Sequence, residues 1–110
     1  MTTVKFFRRD AVSFRGIECD GHTGYGVEGE DIVCAALSSM VQTAVLGVLQ
    51  VAGVNAEFEK NDAAAYLKMT IPKNITERQR HDSDVILNTL YLGVSDLYSG
   101  YSDFIELEVV

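Results

Sequence analysis

The chain has 110 residues, two cysteines, a single proline and a formal net charge of -7. That length suits one compact domain, residues 1–110, and leaves little room for a second. The acidic balance disfavours direct binding to nucleic acid or to a membrane surface, because both depend on clustered Lys and Arg, and it suits basic partners instead.

The opening residues, MTTVKFFRRD, reach charge after a few apolar positions and lack the apolar run of a signal peptide, so a cytoplasmic protein is expected. In that compartment Cys19 and Cys34 stay reduced, which points to catalysis or metal binding rather than a structural disulfide. Val4–Phe7 and Val12–Cys19 are β-prone and flank Arg9-Asp10, a pair suited to a tight connection, so they predict a hairpin. From Asp20 to Glu30 periodicity stops and glycines stand at 21, 24, 26 and 29, which predicts a loop.

Asp31 is suited to cap the next helix, expected to run to about Val51. Its main apolar stripe is Val33, Leu37, Met40, Val41, Ala44 and Val48. A membrane span is disfavoured because Ser38, Ser39, Gln42 and Thr43 interrupt an apolar stretch that barely reaches the minimum of about 18 residues. A packed helix that also touches a partner subunit accounts better for the pattern. Asn55–Lys60 and Ala64–Ile71, joined at Asn61-Asp62, predict a second hairpin, with Leu67, Met69 and Ile71 alternating against Tyr66, Lys68 and Thr70.

After Pro72, both N-x-x-E and T-x-x-Q patterns place a helix start between Asn74 and Thr76. Ile86, Leu90, Val94 and Leu97 form its core stripe, and Gly100 is a suitable stop. Ile105, Leu107 and Val109 alternate with two glutamates in a last strand. The order ββαββαβ predicts an α+β two-layer sandwich, one mixed five-stranded sheet covered by two helices.

The stretch from Asp20 to Ser38 holds what thiol-based peptide hydrolysis needs: a nucleophile, a base and oxyanion donors. Cys34 follows Asp31 closely, so the positive end of the helix favours its thiolate, and the free N–H groups of that end are candidate oxyanion donors. His22 sits across the glycine-bearing loop, which is long enough to fold it back onto Cys34. Asp31 either orients the imidazole or only caps the helix.

The run DGHTGYGVEGEDIVCAALS resembles the signature of the ribosomal-processing cysteine proteases: G-H, a glycine-bearing loop, G-x-D-I-V-C-A and then a serine. The matching positions are Gly21, His22, Gly29, Asp31, Ile32, Val33, Cys34, Ala35 and Ser38. The resemblance implies the ββαββαβ fold and a homodimeric cysteine endopeptidase that removes a short N-terminal extension from the precursor of ribosomal protein L twenty-seven, cutting after a hydrophobic, aromatic-containing motif. It implies His22 as general base, Cys34 as nucleophile, and Gly21, Asp31 and Ser38 as supporting positions. Ribosomal proteins are strongly basic, so an acidic enzyme matches that substrate in charge.

Taken alone, Cys34 is most simply a core residue, since cysteine is among the most buried types; the surrounding signature reverses that reading. Cys19 has no signature position and is read as structural, and His81 as a solvated surface residue. Cys19, His22, Cys34 and His81 lack paired zinc-ligand spacing, and no nucleotide-binding glycine motif occurs, so neither metal nor cofactor is expected. A rival from another class is a non-catalytic dimeric module that binds a basic ribosomal protein during ribosome assembly.

Overall fold

The computed structural model describes residues 1–21 and 30–110, with Glu30 and Asp31 described by backbone alone. His22 and the glycine-bearing segment to residue 29 lie outside the described residues. The elements follow as β1 (Thr2–Asp10), β2 (Ser13–Gly21), α1 (Glu30–Leu46), β3 (Glu57–Asn61), β4 (Tyr66–Thr70), α2 (Glu77–Tyr101) and β5 (Ile105–Val109). The ββαββαβ order and the five-stranded mixed sheet with two helices are those expected from periodicity and turn chemistry.

The sheet runs β3-β4-β2-β1-β5, and all neighbours are antiparallel except β1 and β5, which run parallel. Strand β1 therefore has partners on both sides, and its first residue Thr2 is held by Gly21 of β2 and Ile105 of β5. Thr2, Val4 and Phe6 alternate onto the covered face, as the two-residue period of a strand requires. Phe6 stacks at 5.2 Å on Phe14 and meets Tyr91 of α2 edge-on at 5.2 Å. Such contacts contribute beyond area burial and lock α2 over the first hairpin.

Close approach at the centre of the sheet requires one glycine. A β-carbon on Gly16 would lie 2.5 Å from the carbonyl oxygen of Met69 on β4, so only glycine allows that spacing.

The stripe expected on α1 faces the sheet: Val33, Leu37, Val41, Ala44 and Val48 are buried, Val45 joins them, and Met40 is only partly buried. The helix begins at Glu30, so Asp31 lies inside its first turn rather than before it. Its helical course does end at Val51, but the last turn, Gly47–Val51, is a π-helix in which Ala52 N–H donates to the Gly47 carbonyl at 2.9 Å. The segment Ile32–Val51 is long and apolar enough to cross a membrane, yet its main stripe is part of the sheet-covering core, as a buried helix requires.

Of the two cap patterns before α2, Thr76-x-x-Gln79 is used. Gln79 N–H donates to Thr76 Oγ1 at 3.1 Å, and Thr76 N–H donates to Gln79 Oε1 at 3.0 Å. The buried stripe is Ser83, Leu87, Leu90 and Val94, while Ile86 and Leu97 flank it. Gly100 does not stop the helix, which runs on to Tyr101.

Candidate active site

Cys34 is the fifth residue of α1. Side chains on a helix lean back towards its N-terminus, so the sulfur stands over the first turn. An α-helix leaves only its first N–H groups without an intrahelical acceptor; with α1 starting at Glu30, the amide of Cys34 itself belongs to the bonded ladder. The expected oxyanion donors thus shift up-chain to the turn before Cys34.

Cys34 is half-buried and free, and its Sγ lies 3.0 Å from Thr2 Oγ1. The two meet in a cleft of about 410 Å³ bounded by the start of β1, the end of β2, the outer side of α1 and the β3–β4 hairpin. Gly21, Cys34, Ala35 and Ser38 all line it, so the structure gathers these signature positions at one site. Gly21 is buried at the last position of β2, immediately before His22. His22 and the side chain of Asp31 lie outside what is described.

Ser38, one turn beyond Cys34, is exposed, and its Oγ accepts from Gln42 Nε2 at 2.6 Å. Lys60 Nζ in turn donates to Gln42 Oε1 at 3.2 Å and stands 3.3 Å from Asp62 Oδ1. This chain of polar groups forms one wall of the cleft and tethers the β3–β4 hairpin to α1. Tyr66 of β4 donates its hydroxyl to Glu18 Oε2 at 2.7 Å; that bond, more than burial or nearby carboxylates, pushes the phenol up to about 12.

Cys19 lines the same cleft from β2, pairing across the strands with Val4 and Leu67. Burial, then negative charge at Cys34, then Asp20 push its thiol up to about 11. It therefore remains a neutral thiol at physiological pH, in keeping with an inert structural role. His81 is exposed on α2 with Nδ1 3.3 Å from Asp82 Oδ1, outside the cleft.

Sequence reasoning identified Gly21, Cys34 and Ser38 but passed over Thr2, Gln42, Lys60 and Tyr66, which complete the cleft wall. For Thr2 a signal existed: it is β-branched and in phase with Val4 and Phe6. Gln42 lies one turn beyond Ser38 on α1, while Lys60 and Tyr66 arrive from β3 and β4 through the register of the sheet.

Comparison with known proteins agrees with this geometry. The family model for cysteine protease Prp matches residues 1–106. The ribosomal processing cysteine protease Prp of Bacillus subtilis is 22% identical over 86 residues, spanning 78% of this chain and 77% of that protein. Among solved structures, SMU.848 from Streptococcus mutans superposes with a TM-score of 0.86 at 24% identity, covering 100% of this chain and 94% of that one. The ribosomal processing protease Prp from S. aureus, solved with a substrate peptide, also gives 0.86, at 20% identity with 100% of both chains covered. With its half-buried Cys34 at the start of α1 and a family match across nearly its whole length, the chain belongs to the Prp family of cysteine proteases.

Proposed function

We propose that this chain is a cytoplasmic, homodimeric endopeptidase that removes the short N-terminal extension of the precursor of ribosomal protein L twenty-seven through a Cys34–His22 dyad. The observation that carries the reading is Cys34 Sγ set in an open cleft beside a hydroxyl, 3.0 Å away, rather than sealed in the core. In this mechanism the thiolate attacks the scissile carbonyl, His22 protonates the leaving amine, and water then releases the acyl-enzyme. The N–H groups of the first turn of α1 stabilise the oxyanion.

The cleft suits an extended peptide because the tethered β3–β4 hairpin and α1 form two walls, and the net charge of -7 favours encounter with a basic precursor. Direct nucleic-acid contact has no place in this reading. For the homodimer, support comes from the apolar groove of about 540 Å³ between α1 and α2, lined by Met40, Gly47, Val51, Val85 and Ile86 among others.

The test is incubation of the purified protein with a precursor carrying its extension, beside Cys34→Ala and His22→Ala variants. Wild type is expected to cleave once, and both variants to lose cleavage by at least about a thousandfold. Undiminished cleavage by Cys34→Ala would sink the reading. Because Cys19 stays protonated under either reading, the rate at Cys34 itself separates them: the assembly-module rival predicts alkylation no faster than that of a cysteine in an unfolded peptide, whereas the enzyme reading predicts markedly faster labelling of Cys34.

A further inference from the structure

Thr2 stands apart from the residues that the family signature draws in. It is 2% exposed, and three observations fix its side chain. Its strand is bonded on both sides, with Thr2 opposite Gly21 and Ile105 and its N–H donating to the Phe104 carbonyl at 3.0 Å. Its Oγ1 is 3.0 Å from Cys34 Sγ. A β-carbon on Gly21 would sit 2.9 Å from both Oγ1 and Cγ2 of Thr2, so the glycine before His22 leaves the volume the threonine fills.

We propose that Thr2 is a positioning residue for the nucleophile: its hydroxyl donates to Cys34 Sγ, fixing the sulfur within the cleft and supporting the negative charge it carries as it attacks, and Gly21 is what admits that hydroxyl. The proposal rests on the thiol-protease reading and adds a device to it. A hydroxyl is a good donor and a thiol a weak one, and the bond strengthens when the acceptor carries charge. A sheet residue anchored from both flanks loses little further freedom in making this bond, so the sulfur is pre-organised rather than captured at each turnover. The bond also leaves the sulfur free to attack, because donation from Thr2 uses one lone pair and moves no proton.

The experiment compares wild type, Thr2→Val and Thr2→Ser by the rate of iodoacetamide labelling from pH 5 to 10, with Cys34 and Cys19 resolved by peptide mapping. Thr2→Val keeps the shape and removes the donor; its Cys34 labelling at pH 7 is expected to fall about tenfold. The pH profile should move to higher pH, while Thr2→Ser, which keeps the hydroxyl, stays within about threefold of wild type. Cys19 labelling serves as the folding monitor, and if it rises in Thr2→Val, the smaller Thr2→Ala carries the same comparison. With a precursor substrate, kcat should fall and KM hold. Unchanged labelling of Cys34 in the hydroxyl-free variant, or faster labelling because the thiol had been the donor, overturns the proposal. Labelling needs no substrate, so this outcome is separable from failure of the cleavage assay.

Discussion

Two cysteines share one cleft but differ in surroundings. Cys34 stands at the start of a helix beside a hydroxyl, whereas Cys19 lies within a paired strand, where burial and neighbouring negative charge raise its thiol from 9.0 to about 11. A thiol raised on folding favours the folded state while it stays protonated. Its contribution is complete below about 9 and is lost as pH climbs through about 11. Urea midpoints should therefore decline between those values, and Cys19→Ala should flatten the decline; an identical alkaline slope in the variant would refute the assignment. Cys34 was legible because chemistry demands a thiol near a helix start, and Gly21 because the family resemblance implied a supporting position there. For Thr2 the phase with Val4 and Phe6 carries only its burial; its contact with Cys34 depends on the register of β1 against β2 and on where α1 crosses, neither of which a two-residue period encodes.

The elements were legible where local chemistry decides them. Thr76 and Gln79 satisfy each other's backbone whatever the tertiary setting, so the start of α2 could be placed within a few residues. Thr76→Ala should cost about 1 kcal/mol, read as a shift in the urea midpoint, and Thr76→Ser should restore most of it. Elsewhere packing overrode pattern. Ile86 fits the apolar period, yet Leu87 takes the core position, and Ile86 instead approaches α1, where a β-carbon on Gly47 would lie 3.3 Å from its Cδ1. Gly100 did not stop α2 because no local rule compels a glycine to terminate a helix already packed on a sheet. Gly16 falls inside the predicted strand Val12–Cys19 with no signal of its own, and its place opposite the Met69 carbonyl makes it a spacer between β2 and β4. Gly16→Ala must push those strands apart, at a cost on the order of 2–3 kcal/mol in unfolding free energy, whereas Gly100→Ala, with open space around it, should be neutral or stabilising. Equal stabilities for the two variants would show that the sheet yields at Gly16 freely.

At the scale of the whole molecule, one face of α1 completes the core, and much of its remaining surface is also apolar. Ile32, Leu46 and Val51 on the α1 run and Val85 and Leu92 on α2 are exposed, and the groove between the helices is lined by small and apolar groups. A chain of net charge -7 keeps carboxylates out of that groove, whose lining among the described residues contains no ionisable side chain. Like-charge repulsion is therefore weakest where two copies would meet, and a two-fold axis lets the same patch serve both partners. Val51 is 81% exposed and Val85 52%, so a glutamate at either place leaves the fold intact but puts a charge into the contact. Sedimentation equilibrium should give about twice the 12.1 kDa chain mass for wild type and a single-chain mass for the Val51→Glu, Val85→Glu double variant, with unchanged circular dichroism. A wild-type protein that sediments at one chain mass across the micromolar range would remove the dimer from the proposed function while leaving the Cys34 cleft, which lies on a different side of α1, untouched.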